Sequence, residues 1–158
     1  DNAPHYQHSE IGYNYRLSNI SAGIGRGQMQ VLEQHIGYRR AMHQFYLDYF
    51  ETIDGVSVFH EPNDSIYSNH WLSCIVLDVS VLGKTAEDLR LSLEAENIES
   101  RPLWKPMHLQ PVFERYDYYG GTVSEQLFKN GLCLPSGSNL VNSDRERILA
   151  VFNRFFSK

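Results

Sequence analysis

Residues 42–59 read Met-His-Gln-Phe-Tyr-Leu-Asp-Tyr-Phe-Glu-Thr-Ile-Asp-Gly-Val-Ser-Val-Phe, and within them the chain changes its period. Met42, Phe45, Tyr49 and Ile53 step by three or four, which is one face of a helix. Asp54-Gly55 is a turn pair, and Val56–Phe59 after it reads as a short strand. Upstream, no proline interrupts the chain between Ile53 and Ser18 or Asn19, either of which can cap a helix. Gly37 marks an expected bend or break inside that stretch. Downstream, strand and helix signals alternate. His70–Val79, rich in Trp, Leu, Ile and Val, reads as a buried strand. Thr85 and Asp88 form a capping box for a helix that buries Ala86, Leu89 and Leu93 and ends near Asn97. Ile98–Leu103 reads as a strand, and the Pro- and Gly-containing 104–121 as a loop with one helical turn. Thr122–Glu125 and Ser143–Glu146 read as capping boxes for two more helices, the first stopping near Gly131 and the second running through Phe155. Leu132–Leu134 lies between them as a short strand. The fold class is α+β: an interface loop and long helical segment over residues 1–53, then a unit over 54–158 in which a small sheet carries helices on one face.

The 158 residues suit one domain, and 42% apolar with 21% charged side chains excludes wholesale disorder. Fourteen Lys and Arg against 19 Asp and Glu leave a net charge of −5, which argues against a nucleic-acid or membrane-surface partner. No apolar run is long enough to span a bilayer. The start, Asp1-Asn2-Ala3-Pro4, has neither an initiator Met nor a signal segment and reads as a cut inside a longer chain. Cys74 and Cys133 each sit in an apolar run, as buried thiols of a reducing, cytoplasmic compartment would.

Several familiar chemistries find no support. Gly23, Gly25 and Gly27 form a Gly-x-Gly-x-Gly run, but inside a helical stretch and not between a strand and a helix. Close helix packing accounts for them better than a phosphate loop. His5 and His8 lie in a Pro-containing segment, and His35 and His43 are two turns apart with no Cys or carboxylate at ligand spacing. They read as solvated surface residues, and no metal site is expected. Neither a Gly-x-Ser-x-Gly elbow nor a Cys-x-x-Cys pair is present.

Two segments stand out. Glu10-Ile-Gly-Tyr-Asn-Tyr-Arg-Leu-Ser-Asn19 places Asn14 and Arg16 at the mouth of a helix, where an amide, a guanidinium and free backbone N–H groups can converge on an anion. The same segment without a ligand is a polar loop with its tyrosines packed on the core. Glu99-Ser-Arg-Pro-Leu-Trp-Lys-Pro-Met-His-Leu-Gln110 gathers Arg101, Trp104, Lys105 and His108 within eight residues, stiffened by two prolines. Cations beside an aromatic face suit a phosphorylated or nucleotide-linked ligand. The alternative is a structural loop with a core Trp and solvated Arg and Lys.

The run Gly12-Tyr-Asn-Tyr-Arg-Leu-Ser-Asn19, followed by Gln28-Met-Gln-Val-Leu-Glu33, resembles the DegT/DnrJ/StrS family of sugar aminotransferases, and the likeness extends along nearly the whole chain. Ser68-Asn-His-Trp-Leu-Ser73, the Arg101–His108 segment and Gly131-Leu-Cys-Leu-Pro-Ser-Gly137 are similar to a narrower branch that makes UDP-4-amino-4,6-dideoxy-N-acetylglucosamine in bacillosamine-type pathways. The resemblance implies the small, mostly antiparallel C-terminal domain of a fold-type I aminotransferase that uses pyridoxal phosphate (PLP). It further implies a homodimer that transfers an amino group from glutamate to a UDP-linked 4-keto-6-deoxy sugar, for polysaccharide or glycan biosynthesis. Asn14 would reach the cofactor phosphate of the partner subunit, with Arg16 adding charge nearby. Arg101, Trp104, Lys105 and His108 would border the nucleotide-sugar pocket. None of Lys84, Lys105, Lys129 and Lys158 matches the family's Schiff-base lysine, so this chain alone is expected to be inactive, with no catalytic residue of its own. The alternative is a non-catalytic binding or dimerisation module derived from the same fold.

Overall fold

A computed structural model describes residues 4–157. Helices α1 (Asn19–Met29) and α2 (Leu32–Phe50) come first, followed by β1 (Val56–Val58) and β2 (Ser73–Leu77). Then come a short α3 (Val79–Leu82), α4 (Ala86–Glu94), β3 (Arg101–Pro102), α5 (Val123–Asn130), β4 (Gly131–Leu134) and α6 (Asn142–Phe156). The strands make one sheet in the order β1-β2-β4-β3, antiparallel at every pairing. The last strand thus lies inside the sheet, and Cys133 faces Cys74 on one side and Arg101 on the other.

Alternation along β2 separates the two faces: Ser73, Ile75 and Leu77 are buried, while Cys74 and Val76 are half-buried. On the buried face, Met42, Tyr46 and Phe50 of α2, Leu89 and Leu93 of α4, and Ile148, Val151, Phe152 and Phe155 of α6 close one core with Ile75, Leu77, Leu132 and Leu134. Helix α5 touches β2 and β4 but places no residue in that cluster. Phe152 is the hub, with ring centroids 5.2 Å from Phe50, 5.3 Å from Tyr49 and 6.1 Å from Tyr46. The Tyr46 hydroxyl escapes an unsatisfied burial by donating to the Pro135 carbonyl at 2.8 Å.

The α+β reading holds, and the differences lie at element ends. The helical stretch breaks at Gln30–Val31, where both N–H groups bond only two or three residues back, and not at Gly37, which lies within α2. One interior glycine costs a helix about 0.5–1 kcal/mol, so a long helix tolerates it; three glycines in α1 weaken that helix instead. The strand expected over His70–Val79 shrinks to Ser73–Leu77. His70 sits at φ +43°, and Asp78 accepts the Ser80 N–H at 2.9 Å to start α3. The strand expected over Ile98–Leu103 keeps only Arg101–Pro102, since Asn97 turns at φ +55° and Pro102 has no N–H for a ladder. Residues 104–121 hold two 3₁₀ turns, Met107–Leu109 and Pro111–Phe113.

The Thr85–Asp88 capping box forms, with the two reciprocal bonds at 2.8 and 3.1 Å. Thr122 makes no cap bond, because Glu125 pairs with His108 at 3.0 Å and the Thr122 hydroxyl accepts from Gln126 at 3.2 Å. Ser143 lies inside α6, whose Asp144 accepts the Val141 N–H at 3.0 Å. Cys133 is buried, Cys74 is half-buried, and both are free with their sulfurs 3.7 Å apart. Among the described residues, no helix is long and apolar enough to cross a membrane.

Candidate functional site

Ahead of α1, the Asn14 side chain folds back so that Oδ1 accepts the Arg16 N–H at 2.9 Å. That turn holds Arg16 at φ +81°, a left-handed conformation uncommon for a side chain with a Cβ. Two residues on, Ser18 caps α1 by accepting the Ser21 N–H at 3.2 Å. The first turn of α1 has no acidic residue, so its positive end is uncompensated. Tyr13 and Tyr15 are not packed on the core; Tyr15 is 90% exposed. The amide nitrogen of Asn14 and the Arg16 guanidinium are thus exposed donors on the stretch that leads into α1.

The second segment borders a pocket of about 560 Å³ between β3, β4, the loop before β2 and the start of α6. Arg101 and Trp104 line it, as do Tyr6, Trp71, Ser136 and Arg147. Arg101 is not solvated freely: Nη2 lies 2.6 Å from Glu99 Oε1, and the guanidinium stands 5.8 Å from the centre of the Tyr6 ring. Trp104 is not core; it is 48% exposed and meets Trp71 with ring centroids 6.1 Å apart. The pocket's lining does not include Lys105 or His108. Lys105 Nζ donates to Gln7 Oε1 at 3.1 Å, and His108 stacks on Tyr118 at 3.6 Å. Asn14 and Arg16 are not part of the lining either. Of the three described lysines, Lys84 donates to the Phe155 carbonyl, Lys105 is tied to Gln7, and Lys129 is an exposed residue of α5. None of them lines the pocket. Lys158 lies outside the described residues.

Three features went unread in the sequence. Gln110 is buried and ties the N-terminal segment to the loop: Oε1 accepts the His8 N–H at 3.0 Å and Nε2 donates to the Tyr6 carbonyl at 2.9 Å. Arg39 donates through one nitrogen to the carbonyls of Trp71 at 2.6 Å and Ser136 at 3.0 Å, joining two walls of the pocket. Behind Trp71 lies a polar network. Arg40 meets Glu61 at 2.7 Å, Glu61 meets His70 at 3.1 Å, and His70 stacks on His43 at 3.6 Å. His43 is thus a buried residue and not the solvated one its spacing implied. Burial and the neighbouring His70 push its pKa down to about 4. The Arg40 hydrogen bond holds Glu61 down at about 2. Only Trp71, an indole directly after the polar run Ser68-Asn-His70, carried a signal that could have flagged this wall. Among the described residues, no three His, Cys, Asp or Glu side chains cluster to hold a metal ion.

The profile of the DegT/DnrJ/EryC1/StrS aminotransferase family matches residues 1–153. The chain is similar to EpsN of Bacillus subtilis, named as a pyridoxal phosphate-dependent aminotransferase, with 44% identity over 98% of this chain and 40% of that protein. It is also similar to a GDP-perosamine synthase of Escherichia coli O157:H7, with 32% identity over 96% of this chain and 40% of that protein. A solved DegT DnrJ EryC1 StrS aminotransferase from Brucella abortus superposes with a TM-score of 0.76 at 28% identity, over 98% of this chain and 40% of its own. DesV of S. venezuelae shares the fold at a TM-score of 0.78 and 22% identity, over 97% of this chain and 40% of its own. The chain therefore spans about 40% of the length of these relatives.

Proposed function

The chain belongs to the DegT/DnrJ/EryC1/StrS aminotransferase family, and from that membership we propose that it is the nucleotide-sugar-binding share of a cytoplasmic, homodimeric sugar aminotransferase. The family's enzymes are PLP-dependent. When bound, PLP supplies the electron sink that lets an amino group leave one carbon and join another. The residues present fit its phosphate. Asn14 Oδ1 is occupied by the Arg16 amide, which leaves the side-chain NH₂ to donate outward. No carboxylate lies between residues 11 and 32, so nothing in the segment repels a dianion. In this reading Asn14 and Arg16 hold the phosphate in the partner subunit's active site.

The substrate we propose is a UDP-linked 4-keto-6-deoxy sugar, with glutamate as amino donor and a surface polysaccharide or glycan as the end use. The observation that supports a nucleotide-linked substrate is that Arg101 and Trp104 line the same pocket, with the Arg101 guanidinium near the Tyr6 ring; the donor and end use follow from the family. Lys105 and His108 would act indirectly, from the loop that follows Trp104, where the first is tied to Gln7 and the second to Glu125. In this reading the segment up to residue 53 carries the part that meets the partner and residues 54–158 the small domain, with Met42, Tyr46 and Phe50 of α2 packed into that domain's core.

Amino transfer from glutamate to UDP-linked and GDP-linked 4-keto-6-deoxy sugars tests the substrate. Equal turnover of the GDP form, or none of either, overturns the UDP reading. Mixed dimers test the cross-subunit role: Asn14→Ala subunits are paired with subunits lacking the Schiff-base lysine. Losing one hydrogen bond to a charged group costs roughly 1.5–3 kcal/mol, a ten- to hundredfold loss of PLP affinity. If Asn14 serves the neighbour, each mixed dimer places both lesions in one site and keeps about half of the activity by counting intact sites. Near-complete loss instead would assign Asn14 to its own subunit's cofactor.

A further inference from the structure

We propose that Trp71 is a substrate-binding residue, a rigid platform that stacks the heterocyclic base of the nucleotide-linked substrate beside Trp104. The proposal rests on the nucleotide-sugar reading of the pocket and adds to it the group that recognises the base.

Trp71 combines a fixed backbone with an open ring. Its N–H donates to Asn69 Oδ1 at 3.0 Å, and its carbonyl accepts from Arg39 at 2.6 Å. The residue before it, His70, is buried in a left-handed backbone conformation whose free-energy cost its surroundings must offset. Those surroundings are the His43 ring stacked at 3.6 Å and the Glu61 carboxylate at 3.1 Å, itself anchored by Arg40. Yet the indole that this framework presents is 61% exposed. A surface tryptophan with no task needs no such support. Here the support ends in two indoles tilted 41° to each other at the mouth of a pocket, an open aromatic surface preorganised for a flat ring.

Charge alone does not explain the pocket. Arg101 and Arg147 line it, but so do Glu99 and Asp144. Arg101 is already paired with Glu99, and Arg147 donates to the Glu96 carbonyl at 2.8 Å. Two cations against two carboxylates give no net charge at the wall. Exposed ion pairs contribute little, whereas a base stacked on an aromatic ring contributes more and tolerates either a pyrimidine or a purine. Stacking is therefore the larger source of affinity at this wall, and what it holds is the flat base of a nucleotide; the diphosphate follows from the nucleotide-sugar reading.

The test is calorimetric binding of UDP and GDP to the full-length protein and to Trp71→Ala, Trp71→Leu and Trp71→Phe, with Trp104→Ala and Arg101→Ala alongside. Trp71→Ala and Trp71→Leu are expected to weaken the nucleotide roughly five- to hundredfold, and Trp71→Phe to keep most of the affinity, because it alone restores a ring. Leu matching Phe would show that apolar bulk suffices, and Ala matching wild type would show that Trp71 touches no base; either overturns the proposal. If at the same time Trp104→Ala and Arg101→Ala weaken binding, the nucleotide pocket stands and only the role of Trp71 falls. If neither nucleotide binds the wild-type protein, the pocket reading falls and this proposal with it. Circular dichroism of each variant separates lost binding from lost fold.

Discussion

Residues 19–32 and residues 42–156 spend the same kinds of side chain in opposite ways. In the first, Ile20, Ile24 and Met29 are 61–79% exposed, and no residue of α1 is buried. In the second, Met42, Phe50, Ile75 and Phe152 are sealed against one another. Apolar surface left wet forgoes about 25 cal/mol per Å², so Ile20 and Ile24, one turn apart on α1, form a face that would gain from cover. The difference teaches that amphipathic period alone says which residues want cover, not where the cover comes from. α2 bridges the two regimes, exposed at Leu32 and buried at Met42, His43, Tyr46 and Phe50.

The contrast breaks most visibly by truncating one residue on each side of it. Phe152→Ala removes the hub of the aromatic cluster and is expected to cost about 3–5 kcal/mol. Ile24→Ala, on the wet face, should change stability by less than about 0.5 kcal/mol. Urea unfolding of both variants is the measurement, and comparable losses would mean that α1 belongs to the cooperative core. A second experiment asks what the wet face does. Burying one such side chain is worth roughly 1.5–3 kcal/mol, so the chain is expected to self-associate through α1. The double variant Ile20→Ser, Ile24→Ser should weaken that association at least about tenfold in sedimentation. A wild-type chain that stays monomeric at every concentration and binds no hydrophobic dye would count against the face as an interface.

What was legible follows the same division. The α2 stripe, the Thr85–Asp88 box and the strands around Ile75 and Leu132 come from local patterns, and sequence carries those. Two positions resisted because their conformations depend on distant partners. His70 ends its strand at φ +43° through contacts with His43 and Glu61, far away in sequence. Thr122 loses its cap because Glu125 finds His108 across the loop. The site divided likewise. Arg101 and Trp104, on one short segment, both line the pocket, while Trp71 reaches it from a separate part of the chain and Arg39 braces it through the Trp71 and Ser136 carbonyls. Spacing within a segment could not place those two.

A smaller effect sharpens the account of the interior, which is not wholly apolar. His43 is neutral in the fold, with its pKa lowered from 6.5 to about 4 by burial and by His70. A base whose folded pKa is depressed takes up a proton more readily when unfolded. Stability is therefore expected to fall as pH drops from about 6.5 to 4 and to be insensitive to this group above that window. His70 is lowered in the same direction, by burial first, and adds to the slope. Glu61 acts lower: its depressed carboxylate loses its contribution only as pH falls from 4.5 towards 2. Denaturation midpoints of His43→Gln should show a shallower slope between pH 6.5 and 4 and an unchanged one below. An unaltered slope in the upper window would remove His43 from the titration.

The finest comparison uses glycines, because they read local cooperativity directly. A Cβ added at Gly25 in α1 or at Gly37 in α2 would meet nothing within 4 Å. Both substitutions to alanine should favour their helices by about 0.5–1 kcal/mol, since each removes an interior glycine without a clash. The readouts should differ. Helix α2 continues into Met42, Tyr46 and Phe50, so Gly37→Ala is expected to raise the global unfolding free energy by the full amount. Helix α1 sends no residue into the core, so Gly25→Ala should raise helical ellipticity while leaving the core's midpoint in place. Gly131→Ala is the internal control of opposite sign, because its Cβ would lie 2.1 Å from Leu103 Cδ1 and 2.5 Å from the Leu127 carbonyl oxygen. Were Gly25→Ala to move the unfolding midpoint as far as Gly37→Ala, the two regions would be a single cooperative unit despite their exposure.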